Sequence, residues 1–491
     1  MPIAKHRVRA VIVGAGPVGC LLAIELRRRN YEVEMYEKQS AESSTAEATG
    51  HSFNLTLTLR GASALPAALR ERVYRMGTIL QQRTVHHRDR TLTHQPYGMN
   101  GDHHLLSVPR TELRRLLLKE ALAAGARVHY GHTCVAAHAR RAEAVFVTAD
   151  GSLRRASGDI LIGCDGANSA LRHELSKSGA RMRIQQEYIP HGHVQLTVAP
   201  EAAEALSRDR MHLWPRGDHF LQAQPNRDGT AAVTLFMPVD SRDGELRFRA
   251  FEDRESVRGH FDREYPDIAA SLPRVTEEVW DTRPALLKVV RCAPYHYARA
   301  VLVGDAAHTI VPFYGQGINC SFEDSEVLCH LLDRHLARNR DRHSAIRAAV
   351  SDFSALRVAP GQAIADLSMA NLEELSAHID DELFHLRKAL ERRLHQRYPR
   401  DYTQLYQLVA FTRTPYDEVV RRSEWDKHVL DRLCEKFDPR TQSDEIIASY
   451  PEFHRGLGSD GRPVRGPGAN GSAVPVMSPG HASLSPLGDS S

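Results

Sequence analysis

Two periodicities alternate over the first 40 residues. An apolar run from Val8 to Val13 meets a glycine turn, then an amphipathic stretch from Val18 to Arg29, then Val33-Glu34-Met35-Tyr36 ending at Glu37. Short apolar runs predict buried strands and the 3.6-residue period between them predicts a helix, so residues 7–40 read as a βαβ unit. Further buried strands are predicted at Ile160-Leu161-Ile162-Gly163-Cys164 and at Ala300-Val301-Leu302-Val303. Between them lie alternating segments such as His193-Val194-Gln195-Leu196-Thr197 and Ala232-Val233-Thr234-Leu235-Phe236, with a turn cluster at Pro225 to Gly229, the pattern of an antiparallel sheet. From 345 to 455 the pattern is helical. The expected architecture is α/β: a discontinuous Rossmann-like domain over 1–180 and 291–344 carrying a hairpin at 80–105, an inserted antiparallel β domain over 181–290, and C-terminal helices over 345–455. The remainder, 456–491, is more than half Gly, Pro and Ser and is expected to be disordered.

Composition narrows the class. The 491 residues, 42% hydrophobic and 25% charged, suffice for two or three packed domains and exclude a fibre or a small disulfide scaffold. With 64 basic against 61 acidic residues, a net charge of +3 gives no reason to expect nucleic-acid binding. Seven scattered Cys with no C-x-x-C pair point to a reducing cytoplasm. The apolar stretch from Val8 to Leu26 follows two basic residues, but it contains a glycine turn and lacks a cleavage site, so it reads as folded rather than as a signal peptide. No run reaches the ~18 to 20 apolar residues of a membrane span.

Gly14-Ala15-Gly16-Pro17-Val18-Gly19 has G-x-G-x-x-G spacing between a strand and a helix. The first glycine makes the tight turn, the second admits a pyrophosphate, the third lets helix and strand pack, and the helix start attracts phosphate charge. Glu37, 18 residues beyond Gly19, is placed for ribose hydroxyls. Two more strand-terminal motifs follow, Gly163-Cys164-Asp165-Gly166 and Gly304-Asp305-Ala306-Ala307-His308, the second running into Gly315-Gln316-Gly317-Ile318-Asn319. With these the chain resembles the flavoprotein aromatic hydroxylases. The resemblance implies FAD held by Gly14, Gly16, Val18, Gly19, Glu37, Thr56, Arg110, Asp165, Asp305, Gly317, Ile318 and Asn319. It also implies NADPH as reductant and O2 as oxygen source.

Segments Gln186 to Gly192, His212 to Arg216, Thr234 to Pro238 and Asp366 to Met369 narrow the resemblance to the kynurenine-hydroxylating branch of that family, over residues 8 to about 420. It implies an aromatic amino acid held by Arg83, Tyr97, Asn371 and Tyr406, with Phe236, Pro312, Phe313 and Tyr314 lining the pocket, and 3-hydroxykynurenine as product. No acid or base is assigned, because the ring amine of kynurenine already activates the carbon to be attacked. The residues offer independent support for one pair: a hairpin turn centred on residue 90 would set Arg83 and Tyr97 directly opposite. Gln222 and Gln224 stand where the resembling enzymes are apolar, and two residues apart on a strand they share a face. They are expected on the pocket wall, either satisfied by each other and nearby backbone or facing a more polar kynurenine or anthranilate. A non-catalytic flavin sensor is the alternative of another class. The three isolated Trp lack the W-x-W-x-I-P segment of a halogenase, and the paired His at 86–87, 103–104 and 191/193 lack a zinc-type partner, so no metal is expected.

Overall fold

The computed structural model describes residues 7–42, 53–98, 103–179, 181–199, 201, 203, 206, 208–239, 248–377 and 382–456; the expected tail lies almost wholly outside them. Strands Arg9–Val13 and Glu32–Glu37 pair in parallel, Ala10 against Val33 and Val13 against Tyr36. The helix between them, Pro17–Arg28, opens on Pro, whose missing amide costs nothing in the first turn, and buries Cys20, Leu21, Ala23 and Ile24. Ile160–Gly163 and then Ala300–Leu302 add in parallel on one side, and Arg127–Tyr130 on the other. Strands from the beginning and the middle of the chain thus share one six-stranded sheet, completed by antiparallel His296–Tyr297.

The second sheet has eight strands, in the order His308–Thr309, Ala285–Ala293, Arg183–Leu196, Ala231–Pro238, Phe220–Pro225, Arg210–Pro215, Gln82–His86, Leu92–Pro96. The hairpin therefore belongs to this sheet although its sequence lies within the nucleotide segment. Its junction, Arg210–Pro215 with Gln82–His86, is parallel, a departure from the antiparallel expectation. One face buries Leu196, Leu221, Ala223, Val233 and Leu235 against helices Arg254–Glu264 and Val275–Trp280. The other carries Leu213, Phe220 and Phe236 toward Val311, Phe313 and Leu372. Leu372 rides on the long helix Arg342–Ala377, which packs along Gly317–Arg338. Helices Glu382–Arg397, Tyr416–Lys436 and Ser443–Gly456 close the C-terminal region on a core of Leu390, Leu394, Val429, Leu433 and Tyr450. No described helix is long and apolar enough to cross a membrane.

Under the outer face His260 is buried among the rings of His219, Phe251, Phe261 and Tyr265, with neither ring nitrogen hydrogen-bonded among the described residues. Burial, helped by His219 and Arg263, pushes its pKa down from 6.5 to about 3. The unfolded chain takes up this proton near 6.5 and the folded chain only near 3. The stability it contributes is therefore present above pH 6.5 and is lost as pH falls toward 3. His260→Leu is expected to flatten the fall in urea midpoint between about pH 6.5 and 4; an unchanged slope would assign acid sensitivity to other groups.

Candidate active site

At the end of the first strand Gly14 sits at φ 100° and donates its amide to Tyr36 O at 2.8 Å. A Cβ on Gly14 would lie 2.5 Å from Cys164 O and one on Gly19 2.2 Å from Gly14 O, whereas one on Gly16 would meet nothing within 4 Å. The outer glycines are closed against protein and the middle one faces open space, which is how a pyrophosphate turn is built. Helix Pro17–Arg28 has no side-chain cap, leaving its first amides for phosphate. Val18 packs toward Gly304, where a Cβ would stand 3.3 Å from it. Glu37 accepts the amides of Ala15 at 2.8 Å and Gln39 at 3.0 Å, which fixes its carboxylate beside the turn.

Asp305 is exposed at the end of its strand, its carboxyl pushed up by surrounding protein and drawn down by His308, Arg110 and Arg172. Arg110, exposed, begins the helix Arg110–Ala123. Asp165 behaves differently. Its two oxygens accept Ser169 Oγ at 2.6 Å and Leu171 N at 3.1 Å, so its side chain steadies Ser169, the residue that caps Ala170–Lys177, and holds the turn. The Asn319 side chain is also taken up by protein: it donates to Thr56 O and Gly315 O and accepts Thr58 N, each at 2.8 Å. What this corner offers a ligand is the uncapped start of helix Gly317–Arg338, the amides of Gly317, Ile318 and Asn319. Open turn, fixed acid, exposed Asp305 and free helix start fit FAD.

On the inner face of the large sheet, Val85, Leu213, Gln222 and Thr234 form one cross-strand row. Arg83, two residues from Val85, shares that face. The hairpin register differs from the expected one: Arg83 pairs with Gln95, and Tyr97 comes two residues later, bonded through its amide to Gln81 O. The cause is Asp89, whose carboxylate accepts both the amide and the hydroxyl of Thr91 while Arg90 turns left-handed at φ 68°, so the turn centres on residue 89. Arg83 and Tyr97 are consequently diagonal neighbours on one face, still within reach of each other.

Tyr406, from helix Leu405–Phe411, completes the group: its ring lies 5.7 Å from Tyr97, 5.6 Å from Tyr314 and 5.8 Å from the Arg83 guanidinium. Burial pushes all three phenols up, so they are protonated donors at neutral pH. Arg83 Nε is buried with no hydrogen-bond partner among the described residues. A guanidinium with a spare donor beside two phenols has the chemistry to receive a carboxylate. Toward the centre of the sheet Phe236 stacks on Phe220 at 4.9 Å and meets Phe313 edge-on at 5.5 Å. The turn Pro312–Tyr314 joins the two halves, and Asn371 Nδ2 anchors it by donating to Phe313 O at 2.8 Å.

The two glutamines part company. Gln224 Oε1 accepts Ser107 Oγ at 3.1 Å and its Nε2 donates to Thr56 Oγ1 at 3.3 Å, so it ties the sheet to the strand bearing Thr56 rather than pairing with Gln222. Gln222 is half-buried on the Arg83 face. Gln224→Leu strips the buried Ser107 hydroxyl and the half-buried Thr56 hydroxyl of a partner and is expected to cost about 1 to 3 kcal/mol in chemical unfolding, whereas Gln222→Leu should cost less than about 0.5. Equal losses would mean that the Gln224 bonds carry no weight.

Two residues escaped the sequence reading. Glu374, one turn beyond Asn371, acts electrostatically on both Arg83 and Tyr314 and pairs with Lys388 at 3.2 Å. Gln407 donates to Tyr97 O and bonds His103 Nδ1 at 2.9 Å, which gives the His103 side chain a structural role. The helical spacing from Asn371 to Glu374 was a usable signal; the second pairing spans 304 residues and left none. His308, Cys320 and Asp324 also converge as a metal site would. Arg357 Nε lies 2.6 Å from Asp324, however, and its NH2 lies 3.6 Å from Cys320 Sγ, so the positive charge a cation would bring is already supplied.

Fold and site define a FAD-dependent monooxygenase. A family model described as FAD binding domain matches residues 7–351. Kynurenine 3-monooxygenase of Salinispora tropica is 35% identical over 435 residues, 87% of this chain and 93% of the relative. The Legionella pneumophila (strain Lens) enzyme of that name is 32% identical over 86% of this chain and 92% of its own, and that of Sus scrofa 31% over 92% and 94%. The chain belongs to the kynurenine 3-monooxygenase family. Among solved structures, P. aeruginosa PqsL in complex with 2-aminobenzoylacetate aligns at TM-score 0.61 and 21% identity over 76% of this chain and 97% of that one. A 2-methyl-3-hydroxypyridine-5-carboxylic acid oxygenase aligns at 0.60 and 17% over 76% and 94%. At such identities they attest the fold.

Proposed function

We propose that this chain converts L-kynurenine, NADPH, O2 and a proton into 3-hydroxykynurenine, NADP+ and water. The observation that carries the reading is the buried, unpartnered Nε of Arg83 flanked by the phenols of Tyr97 and Tyr406. When bound, FAD supplies the reduction by NADPH, the reaction with O2 and the oxygen atom delivered to the ring.

The chain's own residues bind and orient. Gly14, Gly16, Val18 and Gly19 hold the pyrophosphate with the helix start, Glu37 the ribose, and Asp305 with Arg110 the middle of the cofactor. The amides of Gly317, Ile318 and Asn319, with Thr56 beside them, would hold its ring end, and Asp165 shapes the neighbouring turn. Arg83, Tyr97 and Tyr406 grip the amino-acid carboxylate as donors. Phe236, Phe313 and Tyr314, with Pro312 turning the loop, wall in the aromatic ring and exclude water, and Asn371 keeps that wall in place. Fixing the acid end at one point and the ring between aromatic faces sets which carbon meets the oxygen. A ring amine ortho to the acyl group enriches that carbon, so no base is needed at this site.

The test is a product assay. Purified protein should carry noncovalent FAD, consume NADPH faster with kynurenine present, and yield a product of kynurenine plus one oxygen hydroxylated at C3. Turnover of anthranilates but not kynurenine would transfer the reading to the more polar alternative, in which Gln222 faces the extra substituent. NADPH consumption indifferent to every aromatic amino acid would remove it.

A further inference from the structure

Behind Asp305 the protein buries a dense set of charges that substrate binding does not use. His308, 3% exposed, places Nε2 2.6 Å from the fully buried Asp324, whose other oxygen accepts Arg357 Nε at 2.6 Å. Asp324 also receives the amide of Gly304, the residue before Asp305, at 3.3 Å. Beside it Glu323 accepts Arg60 through NH1 at 2.7 and 2.8 Å and lies 2.9 Å from Arg357. Two buried arginines thus balance two buried carboxylates, and Arg413, 3.8 Å from Glu323, is paired with Glu326. A proton on His308 is charge beyond that set of four, and the carboxyl it faces outside the set is the exposed Asp305.

Around the His308 ring, Asp305 lies on its own loop, Cys320 and Asp324 on helix Gly317–Arg338, Arg357 and Gly361 on the long helix, and Tyr295 with its ring 5.7 Å away. Burial favours the neutral ring, but the sulfur of Cys320 and the carboxylate of Asp324, each beside the ring and bonded to it, together hold the imidazole well above its ordinary range. Gly361 makes room for the ring, since a Cβ there would stand 3.3 Å from the imidazole and 2.4 Å from the Tyr295 hydroxyl.

We propose that His308 is a positioning residue for the cofactor's charge: its imidazolium, clamped by Asp324 behind Asp305 and the first turns of helix Gly317–Arg338, favours reduced over oxidised FAD. In the reductive half of the reaction a hydride passes from NADPH to FAD, giving NADP+ and FADH−, so the bound group gains one negative charge. A fixed buried cation, little screened by salt, stabilises that form selectively. The inference rests on FAD binding and is independent of which aromatic compound is hydroxylated.

The experiment measures the two-electron midpoint potential and the FAD dissociation constant of holoenzyme without aromatic substrate, for the wild type, His308→Gln and His308→Lys. His308→Gln keeps a donor toward Asp324 and removes the charge. It should make reduction about tenfold less favourable, a drop of roughly 30 mV, with FAD affinity changed less than about threefold. His308→Lys should restore most of that drop. Equal potentials in wild type and His308→Gln overturn the proposal, as does a drop that His308→Lys deepens. Should the variants fail to retain FAD, wild-type holoenzyme labelled with 15N-histidine decides: among 27 histidines one should remain an imidazolium from pH 6.5 to 8.5. If every ring is neutral above about pH 7.5, the point at which ordinary histidines have lost their proton, the proposal fails.

Discussion

Arg83→Ala is expected to lower kcat/KM for kynurenine by roughly one to two decades, the loss of about 1.5 to 3 kcal/mol that a charge-assisted double contact carries. Most of it should fall on KM, because the carboxylate is gripped equally before and during oxygen transfer. A smaller part should fall on coupling. A ring tethered only by Tyr97 and Tyr406 samples positions away from the oxygen donor, so a larger fraction of NADPH ends as hydrogen peroxide. Tyr406→Phe keeps the stacked ring and removes one donor, and should show the same signs at about a tenth of the effect. Steady-state kinetics with peroxide quantified alongside product reads both. Unchanged KM with lowered kcat would mean that Arg83 shapes the wall and does not hold the acid.

What the sequence disclosed follows from how local each signal is. The glycine turn, its strand and its helix lie within 40 residues and are written in two periodicities, so their geometry was legible down to which glycines close against protein and which one faces open space. The pairing of Arg83 with Tyr97 was legible as a shared face but wrong in register. One side chain, Asp89, chose the turn centre by bonding Thr91. Periodicity says which residues face together and nothing of where a turn closes. Gln224 could be seen to be polar in an apolar place, yet its partners Thr56 and Ser107 come from strands more than 100 residues away. The buried charges were invisible for the same reason. Nothing in the local pattern marks Arg60, Glu323 or Arg357, and only the fold removes all three from water.

That removal sets the largest stability effect expected in the molecule. Glu323 is 4% exposed and compensates the buried guanidiniums of Arg60 and Arg357. Burial alone would raise its carboxyl, but Arg357 and Arg60 outweigh that and bring it below its ordinary value. The contribution is therefore full above about pH 4.5 and declines as pH falls below it. Glu323→Ala leaves Arg60 with only the carbonyl of Thr414 and the face of Tyr416, 4.1 Å away, and leaves Arg357 to share Asp324 with His308. An uncompensated buried charge of this kind costs about 3 to 5 kcal/mol. The double change Arg60→Met with Glu323→Leu should recover most of the loss in urea unfolding at pH 7.5, because apolar groups of similar volume replace a buried pair at little net cost. If the double variant is as unstable as Glu323→Ala, the loss comes from packing around helix Gly317–Arg338 and not from stranded charge. If Glu323→Ala itself costs less than about 1 kcal/mol, Thr414 and Tyr416 suffice to hold the guanidinium in place.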